Sequence, residues 1–333
     1  MCARELASAL APHIEGLLAE KRALGFSYDT EEGVLARFDA YCRDRGLERP
    51  EITRDLLDGW LGRSPTEGWH NHVKRVNAVR QLALYMASMG LEAHVPDLPS
   101  TEPQKPPYIL TDAERSALFA QIDAWEPKAG GRAVRRLAGE YRMLFRLIYC
   151  CGLRNSEACG MPVARVDAEA GTLRVSQSKG RKDRIVYMAD DLAGLLSSYL
   201  AWLRDALGSD PAWLFPAKDP KRPLPNTTVD NVFARFWDAT GLGGGRSDRP
   251  VVHDLRFGFI TDRTNLWALA DVDVDAMMPY LSRYAGHANL QSTYYYIHTS
   301  ERLRDVIAKY DVTGSSAIPE EVDYGQGRRG RRA

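Results

Sequence analysis

Apolar residues recur at helical spacing along the first part of the chain, and the pattern predicts a run of helices from residue 5 to about residue 98. In ELASALAPHIEGLLAEKRALGF, Leu10, Ile14, Leu17 and Leu18 share one face, and Gly25 stops the pattern. Thr30, with Glu32 nearby, is expected to open a second helix carrying Val34, Leu35, Phe38 and Tyr41, which runs out at Gly46. A short third helix is expected after Thr53. A fourth, from about His70 to Ser88, turns Val73, Val76, Val79, Leu82, Ala83 and Met86 inward, leaving Lys74, Arg75, Asn77 and Arg80 to face phosphates or water.

The periodicity stops at VPDLPSTEPQKPP, where prolines block regular hydrogen bonding and stiffen the chain toward an extended form. Residues 1–98 are therefore expected to form a helical domain, 99–107 a linker and 108–313 a second domain. Thr111 and Glu114 have the spacing of a capping box. RMLFRLIYCCGLRNSEACGM predicts a mostly buried helix interrupted near Gly152. TLRVSQSKGRKDRIVYM alternates like two strands around a Lys-Gly-Arg-Lys-Asp turn, a hairpin signal. Further helices are expected in LAGLLSSYLAWLRDAL and TTVDNVFARFWDATG, and a flexible loop in GLGGGRSDRP. From about Gly314 the chain is polar and glycine-rich, ends in Arg328, Arg329, Arg331 and Arg332, and is expected to be a disordered basic tail. The fold class is thus mostly α with a small β-sheet (α+β), in two domains.

Composition changes this picture little. Hydrophobic residues make up 44% and charged residues 26% of the 333 positions, ordinary for a globular protein. No apolar run has the length of a membrane span, and the N-terminus lacks a signal-peptide layout, so a cytoplasmic location is expected. Five cysteines without framework spacing argue against disulfide stapling, and Cys150 and Cys151 read as small buried hydrophobes. Forty-four basic residues balance 44 acidic ones, so net charge gives no support for a nucleic-acid partner. Local clusters such as Lys179, Arg181, Lys182 and Arg184 favour one only weakly.

Taken singly, the remaining polar residues are ordinary. Arg154 and Glu157 are a helical turn apart and could simply pair, and His253 and Arg256 share a helix face. Together, CGLRNSEA, SQSKGRKDRIV, HDLR and YAGHANLQSTYYYIH resemble, in that order, the tyrosine recombinase (phage integrase) family. That family has an arginine after Gly-Leu, a lysine in a hairpin turn, His-x-x-Arg, Gly-His, and a tyrosine nine residues beyond that histidine. Counting from His287 selects Tyr296 over Tyr294 and Tyr295, and the Lys-Gly step favours Lys179 over Lys182.

The resemblance implies a metal-independent transesterification with no cofactor. Arg154 and Arg256 would clamp the non-bridging oxygens of a phosphodiester, since a guanidinium fork matches phosphate geometry. Lys179 would protonate the leaving 5′ oxygen, and His253 would act as base toward Tyr296 or donate to the phosphate. His287 would donate a further hydrogen bond, and Glu157 would orient the cluster. Tyr296 would form a 3′-phosphotyrosine. Nine residues rotate a helix by about half a turn, so His287 and Tyr296 can meet one phosphate only if the helix breaks near residues 288–291.

Also implied are a two-domain C-shaped clamp on duplex recombination sites, a tetramer on DNA, Holliday-junction strand exchange and accessory directionality proteins. The helical domain would bind DNA, with Lys74, Arg75, Arg80, Arg181 and Lys182 as contact candidates. A C-terminal helix through Leu303, Val306, Ile307 and Tyr310 would dock on its own domain or on a neighbouring protomer. The helical domain starts almost at once, so no separate arm-site domain is expected; this leans toward a simple recombinase or a mobile-element enzyme. Three departures stand out. Phe257 follows HDLR where the family often has histidine, the interval to His287 is long, and Asp271, Asp273 and Asp275 mimic a calcium loop without its glycine and glutamate. The alternatives are a type IB topoisomerase-like enzyme and a catalytically inactive DNA-binding relative.

Overall fold

The computed structural model describes residues 6–100, 107–176, 183–245, 249–287 and 289–294, together with Val306 and Lys309. The chain divides into two compact units, Met1–Lys105 and Pro106–Ala333.

Among the described residues, the first unit has four helices: α1 (Ala11–Ala23), α2 (Asp29–Asp44), α3 (Arg54–Leu61) and α4 (Trp69–Ser88). Leu10, Ile14, Leu17, Leu35, Phe38, Leu57, Val79, Leu82 and Met86 form its core. Thr53 caps α3, its hydroxyl accepting from the Leu56 amide at 3.2 Å. The start of α2 differs from expectation. Tyr28, in a left-handed conformation (φ 56°), precedes the helix, and Thr30 lies inside it. Entry to α1 is fixed from a distance by buried Asp39, which accepts from the Ala7 and Ser8 amides (2.8 and 3.1 Å). At the far edge, Ile52 and Ala93 form a single parallel bridge.

In the second unit, the described residues form helices packed on one another and a small three-stranded antiparallel sheet. Its elements are α5 (Asp112–Ala124), α6 (Arg132–Cys151), α7 (Asn155–Cys159), β1 (Val166–Asp167), β2 (Thr172–Val175), β3 (Arg184–Tyr187), α8 (Asp190–Leu207), α9 (Asn226–Ala239), α10 (Val252–Leu269), α11 (Val274–Ala285) and α12 (Gln291–Tyr294). Thr111 and Glu114 form the expected capping box. In the sheet Leu173 opposes Val186, both fully buried, so the period-two alternation sets the register. Central α6 buries Leu144, Phe145, Leu147 and Ile148 and packs against α10. Cys151 is buried as expected, whereas Cys150 faces outward.

Residues 264–285 form the end of α10 and α11. The three aspartates of this stretch are occupied by hydrogen bonds. Asp273 caps α11 by accepting from the Ala276 amide (3.0 Å), Asp275 accepts from the Tyr294 hydroxyl (3.1 Å), and Asp271 pairs with Lys309 (2.7 Å). Among the described residues, no helix is long and apolar enough to cross a membrane.

Candidate active site

Two chain reversals build the site, each made by a glycine that ends a helix. Gly152, with φ 61°, stops α6 in the left-handed conformation that glycine adopts without steric cost. Leu153 then buries its side chain, and Arg154 emerges at the start of α7. Gly286, with φ 70°, ends α11 in a Schellman turn: its amide donates to Arg283 and that of His287 to Ser282 (3.1 and 3.0 Å). This turn places His287 beside the end of α11. The next helix begins at Gln291, so the required break between His287 and the tyrosine cluster is present in the described residues.

The last carbonyls of a helix have no partner within it and carry the negative end of its dipole. Here they hold the two arginines. Arg256 is fully buried on α10 and donates to Gly152 O (2.5 Å) and Ala285 O (2.7 Å). Arg154 donates to Gly286 O (2.7 Å) and to Glu157 Oε1 (2.6 Å). Both guanidinium groups are therefore fixed by carbonyls at the C-terminal ends of these helices, Arg256 at those of α6 and α11 and Arg154 at that of α11.

Glu157 ties the cluster together. Its oxygens accept from Arg184 in a two-pronged contact (2.9 and 2.7 Å), and the Arg154 amide also donates to it (3.0 Å). Burial alone would raise its pKa, but the bonds and charge of Arg184, followed by those of Arg154, hold it down to about 2. Arg184 also donates from Nε to Tyr284 O (2.7 Å), joining β3 to α11.

His287 Nε2 lies 2.9 Å from Arg256 Nη2, and its Nδ1 lies 2.8 Å from Thr293 Oγ1. A guanidinium only donates, so Nε2 must accept, and the proton sits on Nδ1 facing Thr293. The expected donor role therefore requires Arg256 to exchange this contact for another, since Nε2 here is an acceptor. Burial, then repulsion from Arg256, Arg154 and Arg184, holds the His287 pKa down to about 3. His253 lies one turn before Arg256, edge-on to Phe257 at 5.1 Å. Packing around its ring, then Arg256 and Arg154, lowers its pKa to about 4 against an opposing pull from Glu157. Both imidazoles are thus neutral at pH 7, the form that accepts protons.

The structure therefore brings together Arg154, Glu157, His253, Arg256 and His287. Lys179, Arg181, Lys182, Tyr296, Leu303, Ile307 and Tyr310 lie outside the described residues, as does the 314–333 tail. Val306 is half-buried, and Lys309 donates to Leu269 O (2.7 Å). In the first unit Lys74 is exposed, but Arg75 is already engaged: it grips both Glu67 oxygens (2.8 Å each), Gly62 O and Trp60 O. Arg80 donates to Pro96 O (2.5 Å).

Sequence reasoning passed over Arg184 as one charge in a basic cluster. The signal was there: Arg184 shares the inward face of its strand with Val186, and a buried guanidinium requires a buried acid. It also missed Arg165 and Arg174, which line a cleft with Arg154 and Glu157; no spacing marks them.

A cluster of fixed arginines with neutral histidines has the charge and the donors to hold an anion such as a phosphodiester, and the chain belongs to the phage integrase family, whose sequence profile matches residues 128–302. It is accordingly a tyrosine recombinase, an enzyme of DNA recombination. Tyrosine recombinase XerD of Pseudomonas aeruginosa is 29% identical over 314 residues, covering 90% of this chain and 96% of that protein. XerD of Brucella suis is 30% identical over 249 residues, 72% of this chain and 75% of its own length. In fold, the chain is similar to the XerH recombinase bound to its difH substrate before cleavage (TM-score 0.61, 19% identity, 92% of this chain and 86% of that one).

Proposed function

We propose that the enzyme cuts and rejoins duplex DNA at specific sites through a 3′-phosphotyrosine on Tyr296. The phenolic oxygen attacks phosphorus while the bond to the 5′ oxygen breaks. His253 takes the phenolic proton, and Lys179 gives one to the leaving oxygen. Attack by a 5′ hydroxyl from another strand reverses the step and rejoins the DNA. Arg154 and Arg256 hold the non-bridging oxygens, whose charge grows toward the pentacoordinate state. The observation that supports this reading is the pair of guanidinium groups anchored on the Gly152, Ala285 and Gly286 carbonyls, beside the neutral histidines. Strand exchange would pass through a Holliday junction in a DNA-bound tetramer serving a mobile element in the cytoplasm. Residues 1–98 would grip the duplex as a helical DNA-binding domain, joined by the 99–107 linker to a catalytic domain of residues 108–313.

The test is selection from a randomised library of nicked duplexes, in which loss of a short 5′ fragment traps the cleaved state. Covalent protein–DNA adducts are expected from the wild type and from Tyr294→Phe and Tyr295→Phe, and none from Tyr296→Phe. Adducts persisting in Tyr296→Phe would overturn the assignment.

A further inference from the structure

We infer that Arg184 is a positioning residue that keeps Glu157 from neutralising Arg154, and so sets the positive charge of the phosphate clamp. The inference rests on the recombinase reading above. Arg184 meets both Glu157 oxygens, at 2.9 and 2.7 Å, whereas Arg154 reaches one of them with a single guanidinium nitrogen. The Arg184–Glu157 pair is also the drier one: both side chains are 6% exposed, against 22% for Arg154. A charge-assisted fork in such surroundings is the stronger contact, so the carboxylate is shared in favour of Arg184.

The charges then follow. Arg154 and Arg184 hold the one carboxylate, Arg256 lies beside His287, and the two histidines are neutral, so three guanidinium groups against one carboxylate leave a surplus of two positive charges within the cluster. Without Arg184, Glu157 would have Arg154 as its remaining close cation, and half of that surplus would vanish next to the phosphate. Arg184 also lies against the backbone that anchors Arg154. A Cβ placed on Gly286 would sit 2.8 Å from Arg184 Nη1, and the Gly286 carbonyl is the one Arg154 holds. One side chain on β3 therefore supports both anchors of Arg154.

The experiment compares single-turnover cleavage of two nicked duplexes of one selected sequence. One carries an ordinary scissile phosphate and the other a methylphosphonate, which has no charge to stabilise. R184Q is expected to slow phosphodiester cleavage by about tenfold or more while changing methylphosphonate cleavage by less than about threefold, with duplex affinity kept. R184K, which keeps the charge but loses the fork, is expected to fall between R184Q and the wild type. The double variant E157Q/R184Q removes one charge of each sign and is expected to recover most of the phosphodiester rate lost in R184Q. Equal losses on both substrates, or a double variant no faster than R184Q, would mean a merely structural arginine and overturn the inference. If R184Q does not fold, R184K decides: a loss on the phosphodiester alone supports the inference, and equal losses or none overturn it. Failure of the wild type to form any adduct would instead sink the recombinase reading.

Discussion

Gly286→Ala isolates how much the site depends on the turn after α11, and Gly208→Ala supplies its control. Both glycines end long helices in the left-handed region, with φ of 70° and 72°. An alanine at either position costs about 1 kcal/mol for that backbone conformation alone. The surroundings differ. A Cβ on Gly208 meets nothing within 4 Å, whereas one on Gly286 falls 2.8 Å from Arg184 Nη1 and 3.1 Å from its Cζ. Arg184 cannot swing aside as a surface side chain would, because Glu157 and Tyr284 O hold all three of its nitrogens. Displacing it weakens at least one buried charge-assisted bond, worth about 1.5–3 kcal/mol. Urea unfolding of the intact chain is therefore expected to show a loss of about 1 kcal/mol for Gly208→Ala and about 2.5–4 kcal/mol for Gly286→Ala. Adduct formation on nicked DNA should be unchanged in the first and reduced at least about tenfold in the second. Equal stability losses with equal adduct yields would refute the placement of Arg184 against this turn.

Three further outcomes can be checked. His287 has a folded pKa of about 3 against an unfolded value near 6.5, so its contribution to stability is complete above pH 6.5 and is lost as pH falls toward 3. His287→Gln should accordingly flatten the fall in stability between pH 6.5 and 5, measured by urea midpoints; an unchanged slope would argue against the depressed value. Arg75→Ala should destabilise the first unit by about 1–3 kcal/mol, read from thermal unfolding, because it leaves Glu67 and two carbonyls without their donor. Lys74→Ala should leave stability unchanged and lower the salt slope of DNA binding by about one, measured by titration at several salt concentrations.

Much of the fold could be read from the sequence because its signals are local. Thr53 and the Thr111–Glu114 pair cap helices through neighbours within three residues, and Leu173 and Val186 declare the sheet by alternation. The clustering of Arg154, Glu157, His253, Arg256 and His287 was legible as an ordered set of residue types. What holds them was not. The anchors of Arg154 and Arg256 are carbonyls 132, 104 and 29 residues away in the chain, and a carbonyl leaves no mark in a side-chain pattern. Tyr28 shows the opposite failure. The local pattern pointed to Thr30, but a left-handed tyrosine begins the helix earlier, with the Glu32 amide bonded to its carbonyl at 2.9 Å.

Holding the arginines by carbonyls also governs how the protein tolerates change. A side-chain acceptor is lost whenever its residue changes, whereas a carbonyl acceptor such as that of Ala285 belongs to every residue type, so there the side chain answers only to the packing of its buried surroundings. The glycines at 152 and 286 are a different matter, since their φ values and close neighbours make them poor sites for substitution. The clamp is therefore inherited through the course of the backbone at two turns. At those turns the backbone path holds both guanidinium groups, and the Glu157 and Arg184 side chains complete the grip on Arg154.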